Sequence, residues 1–206
     1  GSTTSFTYTR YASVSLEAAA AINISGAVYT DEGTTGLNCA ASRTVAISVN
    51  GAVPTTVECS GSGVYSFSNV EASQGTVITL FLDGETEKGV VVTKASASNM
   101  TGVGIFQNHV IASGSITILN MDKYDQGNDS DILFTATDAS PDTLVVSSSH
   151  ELFIPAGSTF TPGGNINVKD IKILGTHTAP GGEGASVSGT FTNSGTFTAA
   201  TGTVEM

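Results

Sequence analysis

The chain has no tryptophan, two cysteines, and seven basic residues against eighteen acidic ones in 206 positions. Each shortage removes a class of function. Five Lys and two Arg scattered among eighteen acids give a net charge of −11 and supply no positive stripe with which to displace counterions, so a nucleic-acid partner is not expected. No run approaches the roughly 18 consecutive apolar residues of a spanning helix, so no direct membrane insertion is expected. Charged residues make up 12% of the chain, where a soluble domain has about 25%. Low charge alone could mean disorder, but 39% hydrophobic residues and a mean hydropathy of +0.15 provide enough apolar surface for a core. The length suits one large domain or two small ones.

Helix formers are scarce as well. Thr, Ser, Gly and Val dominate, and β-branched chemistry favours strands almost throughout, so the expected fold class is all-β. The one helical stretch, Leu16 to Ala21, is shorter than the dozen or so residues an isolated helix needs.

Cys39 and Cys59 are the only thiols. In an acidic, Ser/Thr/Gly-rich β protein they read as one disulfide formed in an oxidising compartment, against the alternative of two buried free thiols. If bonded, they close a loop whose chain-entropy contribution is roughly 3 kcal/mol. There is no Cys-x-x-Cys for redox chemistry and no Cys/His pair at zinc spacing. No signal peptide is visible. Gly1-Ser2 has the character of a cloning remnant, and Met206 falls inside a repeating pattern, so the expectation is an excised piece of a longer protein.

Along the first half, strand signals recur every 8 to 12 residues. Phe6 to Ser15 alternates apolar and polar residues, and Ile22 to Tyr29 leads into the turn-rich Asp31-Glu-Gly-Thr-Thr-Gly. Val45, Ile47 and Val49 share one face of a segment that ends in Asn50-Gly51, a strong hairpin signal, so a strand is expected to return through Thr55 to Cys59. Gly63 to Val70, Val77 to Leu82 before Asp83-Gly84, and Gly89 to Lys94 follow. About seven short strands so spaced predict an immunoglobulin-like β-sandwich over residues 22–96, with residues 1–21 as an N-terminal strand.

Ser25-Gly-Ala-Val-Tyr-Thr-Asp31, Val45-x-Ile-x-Val-Asn-Gly51, Gly63-Val-Tyr65-Ser-Phe67-x-x-Val70, Gly75 and Leu80-Phe-Leu-Asp-Gly84 together resemble the prealbumin-like modules of bacterial surface proteins, of which collagen-adhesin B-type repeats are members. The resemblance implies a spacer or adhesive unit of a stalk. Some such modules carry an internal Lys–Asn isopeptide bond whose lysine lies on an early strand. Here Lys88 and Lys94 lie at the end of the stretch, so that feature does not carry over cleanly.

From Val103 the rhythm changes. Short pieces recur at Val103, His109, Ile116, Asp131, Thr143, Glu151, Asn165 and Asp170, each with about two inward candidates. A Gly-(Ser)-Thr-x-Thr motif then appears around Phe160, His177, Phe191 and Phe197, followed by Gly202-Thr-Val204. Phe191, Phe197 and Val204 are six and seven residues apart, a step read here as one face of a β-solenoid over residues 97–206; an antiparallel hairpin stack turning at Asn193-Ser-Gly is the competing geometry. Glu151-Leu-Phe-Ile-Pro-Ala-Gly-Ser-Thr-Phe-Thr and Ser188-Gly-Thr-Phe-Thr-Asn-Ser-Gly-Thr-Phe-Thr are similar to repeats in very large bacterial surface proteins, where a sandwich module precedes a Gly-Thr-Phe-Thr array. That resemblance implies an extracellular, cell-surface architectural role, with neighbouring modules of the same long chain as partners, and transfers no catalytic residue.

The candidate metal site is the acidic run Asp122, Asp125, Asn128, Asp129 and Asp131. Ca²⁺ takes six to eight oxygens, and alternating Asp/Asn around Gly127 fits that demand. The run lacks the EF-hand's twelfth-position Glu, and a solvated polar turn is the competing reading. No other cofactor is expected. His109, His150 and His177 lie far apart without a Cys or His at ligand spacing, and His177 takes the place of Phe in its motif, which predicts a core role.

No Gly-x-Ser-x-Gly elbow is present, and Lys169 and Lys172 are the only lysines after Lys123, so no enzyme is expected. The expected function is a structural or adhesive stalk module. The alternatives are a carbohydrate-binding adhesin for surface glycans, which needs an exposed aromatic platform from Tyr11, Tyr29 or Tyr124, and an ice-binding solenoid using outward Thr. Motif steps of 17, 14 and 6 residues argue against one continuous Thr ladder.

Overall fold

The structure is a computed structural model that describes residues 21–39, 43–179, 184–199 and 201–206. The N-terminal strand expected at Phe6 to Ser15, and most of the Leu16 to Ala21 stretch, lie outside them. The chain is all-β, and its second half is a β-solenoid.

Three strands form a small sheet in the order β4 (Val64–Glu71), β1 (Ala21–Tyr29), β7 (Met100–Phe106), with β1 antiparallel to β4 and parallel to β7. β1 and β7 approach closely at Gly26, where a Cβ would stand 1.7 Å from the Val103 carbonyl oxygen. Glycine is therefore required there. The Tyr65 hydroxyl donates to the same carbonyl at 2.7 Å, which gives the buried phenol its partner.

Beneath this sheet runs one of eight strands. Its first half is β3 (Thr55–Glu58), β2 (Thr44–Val49), β5 (Val77–Leu82) and β6 (Val90–Lys94), all antiparallel. The expected hairpin is present: Asn50 and Gly51 both have positive φ, at 51° and 80°, as a type I′ turn demands. The second half is β8 (His109–Ala112), β12 (Glu151–Ile154), β15 (Asp170–Ile173) and β18 (Phe191–Asn193), all parallel. The halves are joined by β6, which pairs in parallel with β8 through Val90↔Val110 and Val91↔Ile111. The β6–β8 ladder thus joins strands from either side of the boundary expected near residue 96, and β7 pairs back onto β1.

Two further columns complete the solenoid: β9 (Ser115–Ile116), β13 (Thr159–Phe160), β16 (Thr176–Thr178) and β19 (Thr196–Thr198), then β11 (Thr143–Val146), β14 (Asn165–Val168), β17 (Gly184–Val187) and β20 (Thr203–Glu205), with β10 (Phe134–Thr137) antiparallel at the edge. From β12 onward, register partners in successive coils lie 17 to 20 residues apart, as in Thr159↔Thr176 and Thr176↔Thr196. Phe191, Phe197 and Val204 lie on β18, β19 and β20, which are three sides of one coil and not one face as the spacing suggested. All three pack against the solenoid core, so a six- or seven-residue step measures one side of the coil.

Strand alternation divides the buried side chains between two cores. Ile78, Leu80 and Leu82 of β5 face the small sheet with Val45, Ile47 and Val91. Val77 and Phe81 of the same strand face the solenoid interior with Ala46, Val90 and Val92. Every residue of β5 is buried, as expected of a strand covered on both faces. Cys39 and Cys59 form a disulfide, and both are buried in the core beneath the small sheet.

One element departs from its expected type. Ile116-Thr-Ile-Leu reads as a strand, but only Ser115–Ile116 is one, and Ile118–Met121 is a short helix, α1. Thr117 caps it: its hydroxyl accepts from the Asn120 N–H at 3.3 Å, and the Asn120 side chain accepts from the Thr117 N–H at 3.0 Å. That reciprocal cap outweighs the β propensity of four residues and turns Ile118 and Met121 into the solenoid core.

Candidate functional site

The acidic run is spread over two roles. Asp122 ends α1. Asp125 accepts from the Gly127 N–H through Oδ1 and from the Ala136 N–H through Oδ2, both at 2.9 Å, and the Asn128 Oδ1 accepts from the Asp125 N–H at 3.1 Å. These three shape the turn that leads into β10. Only Asp129 and Asp131 come together, and the third member of their cluster is Asp83 from the turn after β5. Burial, then repulsion by Asp129 and Asp131, raises the Asp83 carboxyl above its ordinary range. The Lys88 ammonium pairs with the Asp131 Oδ1, and the Gly84 N–H donates to its Oδ2. The group ties the β5–β6 turn to the long first coil of the solenoid.

The histidines have three different environments. The His150 Nδ1 lies 2.6 Å from the Ser147 hydroxyl in a turn, and burial lowers its pKa. His177 has 1% of its surface exposed and stacks in register between Phe160 and Phe197, at ring separations of 5.6 and 5.4 Å. Neither ring nitrogen has a hydrogen-bond partner. The nearby Phe160 backbone favours the protonated ring slightly, but burial dominates and lowers the pKa to about 4. His177 is the core residue the motif predicted.

His109 stands at the junction of the two halves. It pairs with Glu151 in the parallel register of β8 and β12, and Glu32, from the loop after β1, reaches over both. The His109 Nε2 is 3.4 Å from the Glu151 Oε1 and 3.9 Å from the Glu32 Oε1. The Nδ1 lies 2.6 Å from the Gln107 carbonyl oxygen. Burial opposes protonation of this ring, but the Glu151 carboxylate, the Gln107 carbonyl and Glu32 outweigh it and raise the pKa. The Glu151 Oε1 is buried without a hydrogen-bond partner, while both Glu32 oxygens accept from the Lys172 ammonium at 2.6 and 2.7 Å. Phe106 and Phe153 both pack edge-on to the His109 ring and are tilted against each other. The sequence carries no local signal for this cluster, because the register of β8 and β12 brings His109 and Glu151 together and the loop after β1 adds Glu32.

The Tyr residues considered as a sugar platform are placed as follows. Tyr11 is outside the described residues. Tyr124 is 5% exposed and stacks on Phe81, and Tyr29 is half-buried with its ring edge-on to Phe106. The Thr motifs behave differently from what their raw spacing predicts. Thr159, Thr176 and Thr196 are register partners, as are Thr178 and Thr198, with Ser115 continuing the first column. The uneven steps arise because Phe191 belongs to another side of the coil, so counting along the chain mixes two faces.

Compared with protein-family models, with curated proteins and with solved structures, the chain matches none.

Proposed function

We propose that the chain is a structural or adhesive module of a large extracellular bacterial surface protein, acting as a stalk or scaffold. In this reading residues 22–96 are an immunoglobulin-like unit of the prealbumin-like kind, residues 97–206 are the solenoid, and neighbouring modules of the same long chain are the partners. The observation that carries it is the continuous eight-stranded sheet, because a stalk must pass load from one module to the next without a hinge. Hydrogen bonds between β6 and β8, with buried side chains on both faces of β5, join the halves as neighbouring strands of one sheet are joined. The disulfide supports an oxidising, extracellular setting. Antibodies raised against the folded chain are expected to label intact cells of the producing bacterium, and labelling that requires lysis would overturn the proposal.

The Thr columns favour a second reading, ice binding. A column of three Thr beside a pair, Thr178 and Thr198, on one side of the solenoid repeats at about 4.8 Å across strands and about 6.6 Å along them, a short array of hydroxyls and methyls. Thermal hysteresis at millimolar protein would support it, and the absence of hysteresis leaves the scaffold.

A further inference from the structure

We infer that Glu32, His109 and Glu151 form a binding site for a divalent first-row transition-metal ion of the zinc type, clamping the loop after β1 onto the solenoid. The donor set is one imidazole nitrogen and two carboxylates, a combination such ions accept, with a fourth position left for water.

Three features of the geometry point to a shared cation and away from a simple ion pair. First, the spacing fits. A tetrahedral ion with bonds of about 2.0–2.1 Å holds neighbouring donors about 3.3 Å apart. The His109 Nε2 stands 3.4 Å from one carboxylate oxygen and 3.9 Å from the other, and the three donor atoms lie within 4.8 Å of one another. Charge-assisted N–H···O bonds are shorter, about 2.7–2.9 Å, and neither carboxylate is that close to the ring. Second, the ring is held from behind. With a proton on Nδ1 donated to the Gln107 carbonyl, the Nε2 lone pair faces the carboxylates, the outer-shell arrangement that orients metal-ligating histidines. Third, the Glu151 Oε1 is buried, borders the gap and makes no well-formed hydrogen bond; its one facing polar atom is the His109 Nε2 at 3.4 Å. A buried carboxylate oxygen so weakly partnered is costly, and a cation between the three groups satisfies it.

Lys172 completes the arrangement. Its ammonium already contacts both oxygens of Glu32, so it holds that side chain over the gap and offsets one of the two carboxylate charges when no ion is bound. With an ion present, Glu32 can keep one oxygen on Lys172 and give the other to the metal. The acidic group of Asp83, Asp129 and Asp131 has no comparable nitrogen donor and already holds the Lys88 ammonium.

The test is calorimetric titration of the full chain with Zn²⁺, repeated with Co²⁺ for its visible absorption. The expected result is one equivalent bound, with the strong d–d absorption of tetrahedral Co²⁺. His109→Gln, Glu151→Gln and Glu32→Gln should each weaken binding at least 10-fold, while His150→Gln leaves it unchanged. If a variant fails to fold, wild-type imidazole resonances decide: Zn²⁺ should shift the His109 ring signals and leave those of His177 in place. No binding at millimolar Zn²⁺, binding that survives His109→Gln, or shifts confined to His150 would overturn the proposal. The inference stands independently of the stalk reading, since cell-surface labelling and metal titration fail separately.

Discussion

Phe81→Ala is expected to lower the stability of the whole chain by about 3–5 kcal/mol, seen as a fall in the urea midpoint with the slope of the transition preserved. Phe81 has no exposed surface and lies in the solenoid-side core, its ring stacked on Tyr124 at 5.8 Å. Truncation leaves a cavity between β5 and the loop after α1, and the surrounding strands cannot collapse into it without breaking ladders on both sides. Leu80→Ala, one residue away, empties the opposite core and is expected to cost about 2–5 kcal/mol. Because one strand serves both cores, each substitution should shift the same transition. If Phe81→Ala destabilised only the solenoid and left the small sheet at its original midpoint, the shared-strand account would fail.

His177→Phe is expected to raise stability at neutral pH and to remove a source of acid sensitivity. The folded pKa of about 4 lies below the ordinary value of 6.5. The unfolded chain therefore binds the proton first as pH falls, and stability that is fully present above about 6.5 is lost progressively down to about 4. At 1.36 kcal/mol per pH unit the loss is on the order of 3 kcal/mol. The variant has no proton to bind, continues the column Ile116, Phe160, Phe197, and no longer buries two unpartnered nitrogens. Subtracting wild-type from variant unfolding free energies between pH 7 and pH 4 isolates this group. A difference that grows as pH falls is expected, and a flat difference would contradict the buried neutral imidazole. His109 has the opposite sign: its raised pKa contributes stability below about 6.5 that is lost as pH rises.

Much of the fold was legible in the sequence because alternation records which faces are buried. Val45, Ile47 and Val49 marked one face of β2, Asn50-Gly51 marked its hairpin, and the Gly-Thr-x-Thr motif marked the coils. The joint was not legible. The Val77 to Leu82 run reads as an ordinary apolar strand, and nothing local says that Phe81 and Leu80 serve different cores. Helix α1 was missed because its reciprocal Thr117/Asn120 cap lies in a segment whose β-branched residues favour a strand. The acidic run was visible as composition, yet its carboxylates sort by register and turn geometry: Asp125 serves backbone amides, whereas Asp129 and Asp131 meet Asp83. The Glu32, His109 and Glu151 cluster left no local signal, since the long first coil separates His109 from Glu151 along the chain and Glu32 comes from the loop after β1.

Because the two halves share one sheet, they are expected to unfold as one body. Tyr65 lies in the core beneath the small sheet and Tyr124 in the solenoid core, so fluorotyrosine at these positions gives a resonance in each half. In a urea titration followed by fluorine NMR, both native signals are expected to disappear at the same midpoint. Loss of the Tyr65 signal while that of Tyr124 persists, or the reverse, would contradict it.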